Sequence, residues 1–184
     1  MKTINIRALM VPLAEYATVS EEATLYDAVL ALEKAQEAFD HKKQRHRAVL
    51  VFDKKNKIVG KLGHLDILRA LEPRYAEMGE LDTLSKTGFS PEFLKSMIEK
   101  FALWDKPFTD ICSKAAGLKV KDIMHTPTKG EYVEENASLG EAIHQLVMGR
   151  HQSLLVTRGE KIVGILRLVD VFGRVSEAIK TCGL

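Results

Sequence analysis

Ala48-Val49-Leu50-Val51-Phe52, Asp53-Lys54-Lys55-Asn56-Lys57, Ile58-Val59-Gly60-Lys61-Leu62 and Gly63-His64-Leu65-Asp66-Ile67-Leu68 form one continuous stretch, and its pattern occurs twice. The second copy runs Ser153-Leu154-Leu155-Val156, Thr157-Arg158-Gly159-Glu160-Lys161, Ile162-Val163-Gly164-Ile165-Leu166 and Arg167-Leu168-Val169-Asp170-Val171-Phe172. Each copy reads as two short apolar strands joined by a charged turn, followed by a helix whose first turn carries an aspartate.

The repeat extends upstream. Ile6-Arg7-Ala8-Leu9-Met10 matches Val120-Lys121-Asp122-Ile123-Met124 at an offset of 114, and the same offset pairs Val19 with Val133 and Ala23-Thr24-Leu25 with Ala137-Ser138-Leu139. Between Gly60 and Gly164, and between Asp66 and Asp170, the offset is 104, so the first copy is about ten residues longer, mostly around Ala38 to Gln44. A shared order of elements at nearly fixed spacing indicates internal duplication.

Within the first copy, Ile6, Leu9 and Met10 share one face of a short helical turn that Pro12 ends. Tyr16 to Val19 reads as a short strand, and Thr24 as the N-cap of a helix with Asp27 at N3, where the helix dipole favours a carboxylate. Leu25, Ala28, Val29, Leu32 and Ala35 recur at helical spacing as a buried stripe. The second copy repeats this with Tyr132-Val133 as strand, Ser138 as N-cap, Glu141 at N3 and Leu139, Ala142, Ile143, Leu146 and Val147 as the stripe. Its last helix is expected from about Arg167 to Lys180. Residues 74–117 belong to neither copy. Ser90-Pro91-Glu92-Phe93 starts a helix there, with Phe93, Leu94, Met97, Ile98 and Phe101 on one face. A second helix through Ile111 and Cys112 ends near Gly117. So apolar a segment is expected to bury its face within its own chain or dimer.

Composition narrows the function classes. A chain of 184 residues with 46% hydrophobic and 28% charged residues is an ordinary globular protein, either one domain or two small ones sharing a core. A net charge of +2 does not argue for nucleic acid. No apolar run approaches the roughly 18 residues of a membrane span, and the N-terminus carries no apolar stretch of signal-peptide length, so a cytoplasmic location is expected. Cys112 and Cys182 stand far apart without a CxxC, as reduced thiols do. The histidines form no HxxxH or HExxH, Gly60-Lys61 lacks the surroundings of a P-loop, and no GxSxG nucleophile is present. The expectation is a non-enzyme without metal or bound cofactor.

The order of elements, with Val-Gly in the last strand and Asp in the next helix, resembles the CBS domain, named after cystathionine beta-synthase. Two copies in tandem resemble a CBS pair, or Bateman module. The resemblance covers residues 1–72 and 118–180 and implies a mixed α+β fold: two β-α-β-β-α repeats packed about a pseudo-two-fold axis, with a helical insertion between them. The units are then 1–73, 74–117 and 118–184. It further implies a sensor module, a homodimer, whose clefts bind an adenosine-containing small molecule such as AMP, ADP, ATP or S-adenosylmethionine and pass occupancy to a protein partner.

Asp66 and Asp170 match the family's ribose-binding position. One carboxylate can accept hydrogen bonds from both ribose hydroxyls, and capping of the helix start would place Asp there equally well. By the same resemblance, Val19 and Val133 with the neighbours of Arg47 and Gln152 would sandwich the adenine. The family's hydroxyl, three residues before the Asp, is lost in both copies: the position is Gly63, next to His64, in the first and Arg167 in the second. Gly63 leaves a backbone N–H that can face an anion. Arg167 would offer phosphate a guanidinium, or reach a neighbouring subunit's carboxylate. On this reading the Asp170 and Arg167 cleft is the better nucleotide candidate. The basic run from His41 to Arg47 is a solvated loop or a cationic rim. A ligand-free scaffold is the alternative function.

Overall fold

The structure is a computed structural model and describes residues 4–38, 45–77, 88–105 and 109–181. Residues 41–44 of the basic run, and Cys182, lie outside them.

The first repeat consists of β2 (Thr18–Ser20), α1 (Leu25–Ala38), β3 (Ala48–Phe52), β4 (Ile58–Gly63) and α2 (His64–Leu71), with β1 (Val11–Pro12) before them. The second consists of β5 (Tyr132–Glu134), α7 (Leu139–Gly149), β6 (Ser153–Arg158), β7 (Lys161–Arg167) and α8 (Leu168–Lys180). Between them lie α3 (Arg74–Glu77), α4 (Pro91–Phe101), α5 (Thr109–Gly117) and the short α6 (Val120–Ile123). The helix starts follow the caps expected from sequence. Thr24 Oγ1 accepts from the Asp27 amide at 3.1 Å and Asp27 Oδ2 accepts from the Thr24 amide at 2.9 Å, and Ser138 with Glu141 makes the same reciprocal pair.

In each repeat the first strand runs parallel to the second, which turns back antiparallel into the third: β2-β3-β4 in one sheet and β5-β6-β7 in the other. Val51 faces Gly60 and Val156 faces Gly164, and each hairpin has a register shift just after that pair. The two sheets meet at a shared core of Val11, Tyr16, Leu50, Ile58, Leu155 and Ile165, while each repeat keeps its own core between sheet and helices.

The lead-ins cross over. The N-terminal one packs on the second repeat: Ile6 is buried in its core, the Leu139 amide donates to Ile4 at 3.0 Å, and β1 pairs antiparallel with β7. The lead-in of the second copy does the same for the first: Val120 lies in its core, the Leu25 amide donates to Leu118 at 2.8 Å, and Lys61 bridges His125. Gly60 and Gly164 sit under these crossings. A Cβ at Gly164 would lie 2.6 Å from the Val11 carbonyl oxygen, and one at Gly60 would run into the Met124 sulfur. Only glycine admits so close an approach, which explains why the Val-Gly pair recurs.

The insertion is anchored at its ends. Ile111 and Ala115 of α5 pack on the first repeat's core. Glu72 accepts two hydrogen bonds from the Arg74 side chain, at 2.7 and 2.8 Å, and a third from the Trp104 amide at 2.7 Å. These partners outweigh the effect of burial and hold the Glu72 carboxyl down to about 2. Between the anchors, α4 does not bury its apolar face on either repeat: Phe93, Leu94 and Ile98 are 45%, 46% and 52% exposed.

Candidate functional site

In each repeat the final helix starts against the segment that leads into the middle strand. At α2 the N-cap is Gly63, whose amide donates to Asp66 Oδ2 at 2.8 Å, while the His64 amide donates to the Arg47 carbonyl at 3.3 Å. At α8 the N-cap is Arg167, and the Leu168 amide donates to the Gln152 carbonyl at 2.9 Å. The backbone scheme is thus the same in both; the side chains are not.

Beside the start of α2 lies a cavity of about 370 Å³. Helix α1 contributes Leu32, Glu33 and Gln36 to its wall, the segment before β3 contributes Arg45, His46 and Arg47, and α2 contributes His64. Gln36 holds that segment by accepting from the His46 amide at 3.0 Å. Two arginines against one glutamate, with His64 beside them and the buried His46 ring uncharged, make a wall suited to an anion. On β4 the second repeat reaches the first: Glu131 pairs with Lys61 and accepts from the Thr128 amide at 3.0 Å, and the His125 ring lies 2.7 Å away. Burial works to raise the Glu131 carboxyl, but hydrogen bonds from Lys61, Thr128 and His125 outweigh it and hold the group down to about 2.

At α8 the Arg167 side chain turns back on its own helix. Its Nε donates to Asp170 Oδ2 at 2.5 Å and its Nη2 to Asp170 Oδ1 at 2.7 Å. Its Nη1 lies 3.5 Å from His46 Nδ1, and the Tyr16 and His46 rings meet edge to face at 4.4 Å. Burial, then the Arg167 charge, lowers the His46 imidazole to about 4, and burial pushes the Tyr16 hydroxyl up to about 12.

Gly63, His64 and Arg47 therefore gather near Asp66, with His64 and Arg47 on the cavity wall. Arg167 and Asp170 form an ion pair with each other, an arrangement not among those read from the sequence. Val19 and Val133 are buried in the separate cores of the two repeats. Sequence reading passed over Tyr16, His46, Lys61 and Glu131 as site residues. For Tyr16 and Glu131 no local pattern marks them, whereas the basic run did point to His46. Among the described residues no cluster of His, Cys, Asp or Glu could hold a metal ion, and no helix is long and apolar enough to cross a membrane.

Two equivalent α/β repeats with exchanged lead-ins define a duplicated module. The family model for the CBS domain matches residues 6–73 and 120–177, and the chain belongs to the CBS domain family as a tandem pair. Among solved structures it is similar to the CBS domain of a CBS domain-containing membrane protein from Sphaerobacter thermophilus, at 20% identity and a TM-score of 0.61 over 94% of this chain and 88% of that one. It is also similar to the CBS domain of a bacterial CNNM/CorC family Mg2+ transporter in complex with ATP, at 18% identity and 0.59 over 95% and 89%. A third is CBSX2 in complex with AMP, at 19% identity and 0.57 over 96% and 98%. Among curated proteins none matches the chain.

Proposed function

We propose that this CBS pair is a regulatory sensor, not a catalyst, that binds an adenosine-containing nucleotide in the cleft at Asp66. The units are residues 1–73 and 118–184, with 74–117 as the insertion. The observation that carries the reading is the cavity that brings Arg45, Arg47 and His64 together beside the start of α2. Asp66 would accept the ribose hydroxyls and the cationic wall would take the phosphates, as charged hydrogen bonds favour. The AMP and ATP complexes of the similar structures support an adenine nucleotide as the ligand class. Leu65 and Leu68 of α2 and Phe172 and Ile179 of α8 are exposed, which supports a homodimer through these helices, acting in the cytoplasm on a protein partner. The signal is linkage: a ligand that prefers one relative orientation of repeats or subunits shifts that population by its differential affinity, typically about 1 to 3 kcal/mol.

A thermal-shift screen against AMP, ADP, ATP, S-adenosylmethionine and NAD tests this, with Asp66→Ala in parallel. Ligand at about 100 times its dissociation constant adds about 2.7 kcal/mol, or roughly 5 to 10 °C for a chain of this size. A shift that disappears in Asp66→Ala is the expected result. The second reading, a ligand-free dimerisation scaffold, is favoured by the Asp170 carboxylate being paired within its own helix. It predicts no shift with any compound from a folded dimer.

A further inference from the structure

We infer that Arg167 closes the Asp170 cleft to nucleotides, leaving the pair with one working site per chain, at Asp66. The inference rests on the nucleotide reading of the Asp66 cleft. Three positions of the repeat carry it. At the N-cap, Arg167 stands where the first copy has Gly63. In the crossing segment, Tyr16 stands where the second copy has Gly130, at the offset of 114 that also relates Val19 to Val133. Facing them, His46 touches the Tyr16 ring in one cleft, while a Cβ on Gly130 would lie 3.7 Å from His151 Nε2 in the other. One cleft is therefore filled by an arginine and a tyrosine where the other has two glycines.

The carboxylates differ accordingly. Both oxygens of Asp170 accept from the Arg167 fork, at 2.5 and 2.7 Å, in a pair whose side chains are 6% and 18% exposed. The guanidinium is held on its other side by His46, 3.5 Å away in the opposite repeat. Among the described residues Asp66 accepts only the Gly63 amide, on Oδ2, so Oδ1 remains for a ribose. A ribose diol arriving at Asp170 would have to displace a charged, bidentate and largely buried donor, and would strand that guanidinium without its counter-ion. The same contact explains why Arg167 cannot serve a phosphate, since its fork already holds a carboxylate.

Titration calorimetry of the full chain with ATP, and separately with AMP, tests the assignment. Wild type should bind one nucleotide per chain and Arg167→Thr two, with Asp66→Ala reducing each count by one. Threonine at this position can rebuild the cap, since the Thr24 hydroxyl donates to Asp27 Oδ2 at 2.7 Å in the same N-cap to N3 spacing. Arg167→Gln, which keeps the side-chain length and loses the charge, serves if the threonine variant does not melt as a folded protein. Two sites in wild type, or no added site in a folded Arg167 variant, overturns the inference. If wild type binds neither probe, the reading of the Asp66 cleft fails by itself; a site gained in the Arg167 variant would still uphold the closure, and none gained would remove both.

Discussion

At Gly164 the chain leaves no room for a side chain, because the Val11 carbonyl crosses 2.6 Å from where a Cβ would stand and the Met10 sulfur lies 3.1 Å from it. Backbone cannot yield as the end of a flexible side chain can, so the crossing strand must move. Gly164→Ala should therefore destabilise the protein by about 1 to 3 kcal/mol, the usual cost of forcing extra methyl volume into a packed core. Urea denaturation checks it: an unchanged midpoint would show that β1 does not press on β7. The substitution acts where the N-terminal lead-in meets the opposite repeat, so loss of stability there reports on the exchange of lead-ins. Gly63 is a different case. A Cβ there would meet Asp66 Oδ2 at 3.3 Å, a side chain that can adjust.

Among the elements, the first helix of each repeat, α1 and α7, begins where a side chain satisfies the free amides of the first turn. Ser138 Oγ accepts from the Glu141 amide at 3.3 Å and Glu141 Oε2 accepts from the Ser138 amide at 2.6 Å. The Ser138 amide first, and then the Ser138 side chain, lower the Glu141 carboxyl below its ordinary value. Ser138→Ala should cost about 1 kcal/mol, read as a lower denaturation midpoint at unchanged slope; a midpoint equal to wild type would mean that the helix needs no cap. Helix α4 shows what periodicity leaves open. Its caps are as expected, with Ser90 Oγ accepting from the Phe93 amide at 3.2 Å. Its apolar face is legible in the sequence, yet the chain does not fold that face inward, because the period of a helix says which residues share a side and not what covers them.

Across the whole molecule, the two repeats are coupled through a buried imidazole. His46 stands before β3 of the first repeat and faces Tyr16 and the Arg167 and Asp170 pair. Its folded value of about 4 lies below the unfolded value near 6.5. Above pH 6.5 both states hold it neutral and it has no effect. As the pH falls from 6.5 to 4 the unfolded chain takes up a proton that the folded one does not, and stability declines by about 1.4 kcal/mol per pH unit from this group alone. Wild type should thus lose up to about 3 kcal/mol more than His46→Gln across that window. Parallel denaturation curves for the two proteins at each pH would show that the ring protonates freely and that the interface does not exclude the charge. Glu131 and Glu72, held at about 2, lose their contributions at lower pH, as it falls from their ordinary range toward 2, and cancel in the comparison.

Legible in the chain's own order are the duplication and the elements within it: the strands around Val51 and Val156, the caps at Thr24, Ser90 and Ser138, and the aspartates in the first turns of α2 and α8. These follow from local rules, since strand alternation, helical period and capping involve residues at most a few positions apart. The resemblance carried by that pattern was enough to name the family. Long-range packing alone sets that each lead-in crosses to the other repeat, that Met10 and Met124 lie over Gly164 and Gly60, and that Arg167 turns back to Asp170 and reaches His46, 121 positions away. An arginine at a helix start can face a ligand, a neighbour or its own helix with equal local propriety. Which it does is settled by the groups that packing places around it, and those come from the opposite repeat.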